Sequence, residues 1–152
     1  MRTLIIALLV LAAPAAARAE SVGIGVFIGE PTGFDLKIGL GRRSALDIVI
    51  GQSSFRDGRV DYAHVTYLVT PFVGRGGSVL IPFRLGIGAM AYGIIDDRAH
   101  LGVRAPLEIG FRFRSTPLEI YGELALEMVF VDDNDDNAFL DLGGGIGIRF
   151  YF

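Results

Sequence analysis

The chain has 152 residues, of which 17 are acidic and 14 basic, for a net charge of −3, and it contains no cysteine. The charge makes nucleic acid a poor partner, and the missing thiols exclude a disulfide framework, a cysteine nucleophile, a cysteine metal site and a lipidated N-terminal cysteine. Hydrophobic residues make up 51% and glycines number 21, yet the longest apolar candidate beyond residue 19, Val79 to Ile95, is interrupted by Pro82, Arg84, Gly86, Gly88 and Gly93, which suits strands of a closed barrel better than a membrane helix.

Met1-Arg2-Thr3, the apolar run Leu4 to Ala13, Pro14 and the small-residue segment Ala15 to Ala19 read as a secretory signal peptide over residues 1–19. The apolar run is too short to cross a bilayer of ~30 Å. Removing it takes Arg2 and Arg18, leaving 12 basic and 17 acidic residues and a net charge of −5 on residues 20–152. Those 133 residues fit one domain.

From there the chain reads as strands of period two. Val22, Ile24, Val26 and Ile28 alternate with Gly23, Gly25 and Phe27, and the turn Glu30-Pro31-Thr32 follows. Phe34, Leu36, Ile38 and Leu40 oppose Asp35, Lys37, Gly39 and Gly41; Leu46, Ile48 and Ile50 oppose Asp47, Val49 and Gly51. The segment Arg59 to Phe72 is the least regular, with Ala63, Val65, Tyr67 and Val69 assigned outward and Tyr62, His64, Thr66 and Thr70 inward.

Alternation resumes over Val79 to Met90, with Arg84 among its glycines, and over Val103 to Arg114, where Arg104, Glu108, Arg112 and Arg114 share a parity. It continues over Leu118 to Phe130, where Glu119, Tyr121, Glu123 and Glu127 share one. In Leu140 to Phe152, the even positions are apolar apart from Gly144, whereas the odd ones include Asp141, three glycines and Arg149. The expected fold is therefore all-β, an antiparallel up-and-down transmembrane barrel of about eight strands, many of them near the ~9–11 residues that a tilted strand needs. Glu30 to Thr32, Gln52 to Gly58, Ile94 to Gly102 and Asp132 to Ala138 would face outward from the cell, and Gly41 to Ser44, Gly74 to Ser78 and Ser115 to Pro117 would be periplasmic turns. A soluble lipocalin-like carrier with an apolar cavity also has about eight strands and would place the same parities the other way round, so parity alone leaves both open.

The ending Phe150-Tyr151-Phe152, with Phe150 and Phe152 on the apolar parity, resembles the C-terminal signal read by the outer-membrane barrel assembly machinery. Gly29-Glu30-Pro31-Thr32-Gly33, Leu101-Gly102-Val103-Arg104-Ala105-Pro106-Leu107, Pro117-Leu118-Glu119-Ile120 and the glycine-rich last strand together resemble the small single-domain outer-membrane barrels of spirochaetes and proteobacteria, a family of unassigned function. The resemblance covers nearly all of residues 20–152 and implies an outer-membrane location, with no catalytic residues.

On the inner parity the charges are Asp35, Lys37, Asp47, Arg84, Arg104, Glu108, Arg112, Arg114, Glu119, Glu123, Glu127, Asp141 and Arg149. An eight-stranded barrel is only wide enough for side chains to fill, so these are expected to form a salt-bridged plug rather than a diffusion pore. Glu119, Glu123 and Glu127, spaced ~13 Å apart at four-residue intervals on a strand, are expected to pair with Arg104, Arg112 and Arg114 rather than act as an acid and base. Asp132, Asn134 and Asp136 match the first half of a calcium loop, but the sixth and twelfth places hold Asn137 and Gly143, so at most a weak divalent site is expected. His64 and Thr66 invite comparison with a lipid-modifying enzyme, which would need both beside an acid and facing lipid.

The leading expectation is a non-enzymatic monomer without cofactors. Its partners would be outer-membrane lipid and lipopolysaccharide, with the assembly machinery during biogenesis, and its role structural or surface-interacting.

Overall fold

The computed structural model describes residues 22–54, 60–95, 100–130 and 139–152. Eight strands follow one another: β1 Val22–Glu30, β2 Thr32–Gly39, β3 Ser44–Ser53, β4 Val60–Arg75, β5 Val79–Tyr92, β6 His100–Phe113, β7 Leu118–Phe130 and β8 Phe139–Tyr151. Each pairs antiparallel with the next, and β1 pairs with β8 from Gly23↔Tyr151 to Glu30↔Gly144, so the sheet closes into an up-and-down barrel. Closure leaves no unpaired edge.

The turns at one end are short and self-satisfied. Leu40 N–H donates to Ser44 O at 3.0 Å between β2 and β3, and Gly76 N–H donates to Val79 O at 2.8 Å between β4 and β5. At the opposite end Pro31, after a cis Glu30–Pro31 bond, is the whole connection between β1 and β2, and Thr32 Oγ1 accepts from Gly29 N–H at 3.2 Å. Carboxylates anchor two longer connections there. Glu30 accepts from Ser53 Oγ and Ser54 N–H at 2.9 and 2.7 Å, and Asp61 accepts from Ile94 N–H at 2.8 Å.

Outside a bulge in β4, the two parities fall on opposite faces. The apolar one is exposed on the outer wall, with Phe34 77%, Leu126 52% and Ile146 64% accessible. The charged one faces the interior, where ten charged side chains are buried among the described residues: Asp35, Lys37, Asp47, Arg84, Arg104, Glu108, Glu119, Glu123, Glu127 and Arg149. Interior glycines make room for them. A Cβ on Gly147 would fall within the Tyr121 ring, and one on Gly110 would lie 3.1 Å from both Arg84 Nη1 and Glu119 Cδ.

Strand β4 departs from simple alternation. Its register against β5 shifts by one residue between Val69 and Phe72, a bulge beside Pro71 that breaks the period and leaves Val69, Pro71, Phe72 and Val73 all exposed. Upstream of it Tyr62, His64, Thr66 and Leu68 point inward. Strand β6 begins at His100 rather than Val103, so His100 to Gly102 are ladder residues, pairing with β5 from Tyr92↔His100 to Met90↔Gly102. The acidic segment with Asp132, Asn134 and Asp136 lies outside the described residues.

Candidate functional site

Among the described residues, the interior charges form a dense constellation of chemistry-bearing groups. Their hub is Arg149 on β8, which is completely buried. Its Nε donates to Asp35 Oδ2 at 2.5 Å, Nη2 to Asp47 Oδ1 at 2.6 Å and Nη1 to Glu108 Oε2 at 3.0 Å, while Glu119 Oε1 lies 3.5 Å away. The guanidinium also lies 3.6 Å from the centroid of the Tyr121 ring. One residue thus joins β2, β3, β6 and β7, using the planar donor fork of arginine to hold several carboxylates at once.

Arg84 on β5 extends the hub towards the end where β1 starts and β8 finishes. It donates to Glu108 and, as a two-pronged fork, to Glu119 at 2.9 and 2.7 Å. Tyr151 adds its hydroxyl to Glu119 at 3.1 Å. Lys37 Nζ is 3.5 Å from Glu108 but is buried without a hydrogen-bond partner.

Further along the interior, Arg104 on β6 donates to Glu123, to Thr66 Oγ1 at 3.1 Å and to His64 Nε2 at 3.0 Å, with Glu127 3.5 Å from its Nε. Arginine only donates, and its 3.0 Å contact is shorter than the 3.5 Å from the same Nε2 to Asp47 Oδ2, so we assign Nε2 as the acceptor and place the imidazole proton on Nδ1. That proton is then directed at Tyr62 Oη, 3.1 Å away, leaving the phenol to donate to Glu127 Oε1 at 3.5 Å. Beyond this network Tyr62, Met90, Tyr92 and Val129 form an apolar cluster, with the Tyr92 and His100 rings stacked at 4.9 Å.

The structure brings most of the expected residues together and rearranges their partners. Glu123 and Glu127 meet Arg104 as expected, and Glu119, in register with Arg112 on the neighbouring strand, is also reached by Arg84 from β5, two strands away. Arg112 is only half-buried and stacks over the Tyr151 ring at 3.9 Å. Arg114 lies beyond the end of β6 and is exposed, so its inward assignment is corrected. Asp141 is half-buried and accepts from Leu142 N–H at 2.8 Å. Phe150 and Phe152 are exposed on the apolar parity.

His64 and Thr66 are both interior and inaccessible, at 2% and 0%. Asp47 stands 3.5 Å from His64, an acid that inspection of the chain did not place there, but the Thr66 hydroxyl accepts from Arg104 rather than facing the imidazole. Among the described residues no group of three or more histidine, aspartate or glutamate side chains is arranged to hold a metal.

Comparison with protein-family models, with curated proteins and with solved structures finds no match for this chain.

Proposed function

We propose that this chain is a bacterial outer-membrane barrel, exported by its N-terminal segment, whose lumen is closed by the buried ion pairs and whose role is non-enzymatic. It would act as a structural or surface-interaction protein through the connections at the end opposite the strand termini. The observation that carries this reading is the inversion of the usual arrangement: arginines and carboxylates fill the interior while leucine, isoleucine, valine and phenylalanine cover the outer wall. In water that wall would be an apolar patch far larger than monomers expose; in lipid it is what each strand must present. A carrier for an apolar ligand would need the opposite arrangement.

Strand lengths support the same reading. Strands β4 to β8 have 13 to 16 residues and β1 to β3 have 8 to 10, against the ~9–11 that a tilted strand needs to span a bilayer. The burial of His64 and Thr66 supports a non-enzymatic role, since an acyl chain in the surrounding lipid would not reach them. The resemblance carried by the Gly29 to Gly33 turn and the aromatic ending agrees with this location.

Fractionation of the host envelope, followed by gel mobility of the membrane pellet with and without boiling, tests the reading. Heat-modifiable migration in the outer-membrane fraction is the expected result. Recovery as a soluble periplasmic protein would overturn it.

A further inference from the structure

One end of the barrel is rich in arginine. At the end where β1 starts and β8 finishes, the turns and strand ends spanning residues 40–43, 75–78 and 112–117 contain Arg42, Arg43, Arg75, Arg112 and Arg114 and no aspartate or glutamate. Among the described residues, the other end carries the carboxylates Glu30 and Asp61, each capping backbone or hydroxyl groups there. The cationic end also has a cavity of about 130 Å³, with Lys37 and Arg84 buried in its lining and Arg42, Arg43 and Arg112 around them. By the same measure a single water needs only ~10–15 Å³, so the cavity has room for a phosphate group. Lys37 supplies a buried ammonium that lies 3.5 Å from Glu108 but makes no hydrogen bond.

A second cavity, of about 270 Å³, adjoins this one and shares Arg43, Ser44 and Thr70 with it. It lies against the outer wall, where Tyr67, Val69 and Pro71 complete its lining; all three are exposed. The β4 bulge accounts for its position. The bulge carries the chain outward after Val69, and Thr70 N–H donates to Arg43 O at 2.8 Å, which ties the arginine turn to the apolar groove. A cationic pocket at the barrel mouth therefore opens directly beside an apolar channel on the wall.

We propose that these joined cavities bind an anionic phospholipid of the leaflet surrounding the cationic end, with the headgroup phosphate held by Arg42 and Arg43 above Lys37. One acyl chain would lie along Tyr67, Val69 and Pro71. Charge complementarity selects the occupant. The exposed guanidiniums of Arg42 and Arg43, in a turn that carries no acid of its own, favour a phosphate, and a soluble anion would leave the apolar groove unfilled. The inference rests on the membrane reading above.

The test uses the full chain in dodecylmaltoside micelles, titrated with phosphatidylglycerol, with phosphatidylcholine and with inorganic phosphate, and read by the amide NMR shifts of Arg43, Thr70 and Val73. Phosphatidylglycerol is expected to shift these amides saturably at concentrations where the other two do not. Replacing Arg42 and Arg43 together by glutamine is expected to weaken binding about 30-fold, since each arginine near an anionic surface contributes roughly a factor of five. The Arg75→Gln, Arg114→Gln pair, at the same end but outside both cavities, is expected to change it less than about threefold. Equal loss in both pairs would mean diffuse attraction and would overturn the site. Equal shifts from phosphatidylcholine would overturn the role of headgroup charge, and saturation by inorganic phosphate alone would make it a soluble-anion site instead. A chain that stays soluble without detergent overturns the membrane reading together with this one, whereas an embedded barrel with no lipid preference overturns this one alone.

Discussion

Arg149 on β8 reaches past β1 and β2 to Asp47 on β3, donating from Nη2 to Oδ1 at 2.6 Å. The contact spans the lumen, and the same guanidinium holds Asp35 and Glu108. Four strands therefore share one cation, which makes Arg149 the residue whose loss leaves the most charge uncompensated.

Arg149→Met is accordingly expected to destabilise the barrel by about 3–5 kcal/mol, the cost of stranding buried carboxylates. Urea unfolding in micelles, followed by loss of the compact gel band, measures it. A loss below about 1 kcal/mol would mean that water enters the lumen freely and that the ion pairs do not close it.

Arg84 and Glu119 form the cleanest two-pronged pair, at 2.9 and 2.7 Å. A double-mutant cycle of Arg84→Met and Glu119→Gln should show coupling of about 0.5–3 kcal/mol. Because Lys37 and Arg149 share Glu108 with Arg84, repeating the cycle in the Lys37→Met background should change that coupling. Strict additivity between Arg84 and Glu119 would mean that the pair does not form.

The interior glycines supply a steric test. Gly147→Ala puts a methyl group into the Tyr121 ring, displacing the hydroxyl that donates to Asp35 at 2.5 Å, and is expected to cost about 1–3 kcal/mol. Gly77→Ala, in the β4–β5 turn with nothing within 4 Å of the added carbon, is expected to stay within about 0.5 kcal/mol. Unfolding midpoints of the two variants give the comparison directly.

The strand set was legible in the sequence because seven of the eight strands keep strict period two, which separates two faces whatever their direction. Strand β4 was harder to read because its bulge between Val69 and Phe72 shifts the parity within one run. Which face points inward was left open by alternation, although the glycines offered a signal. Gly110, Gly143, Gly145 and Gly147 share their parity with the charges, and long arginines and tyrosines can converge in a narrow lumen only where such neighbours lack a side chain. Partner choice was the least legible. Neighbouring-strand reasoning points Glu119 to Arg112, its register partner, and does not reveal that a lumen this narrow lets Arg84 reach it as well from β5. The Asp47 carboxylate beside His64 depends likewise on the pairing of β3 with β4, where Val49↔His64 and Asp47↔Thr66 are in register.

The outer wall gives the sharpest test of the environment. Leu126, near the middle of β7, is 52% exposed on the apolar parity, so its side chain meets whatever surrounds the barrel rather than the lumen. In a bilayer, Leu126→Arg must bring a guanidinium to the depth of the hydrocarbon and is expected to cost about 2–4 kcal/mol, whereas the same change on a water-facing surface falls within about 0.5 kcal/mol. Depth adds a second signature, because a charge near the membrane interface costs only about 0–1 kcal/mol. Ile120→Arg, close to the start of β7 and on the same parity, should therefore be milder than Leu126→Arg. Measuring both by reversible urea unfolding in lipid vesicles separates the environments: a gradient rising towards Leu126 is the pattern of hydrocarbon, and two equal, small values would be the pattern of water.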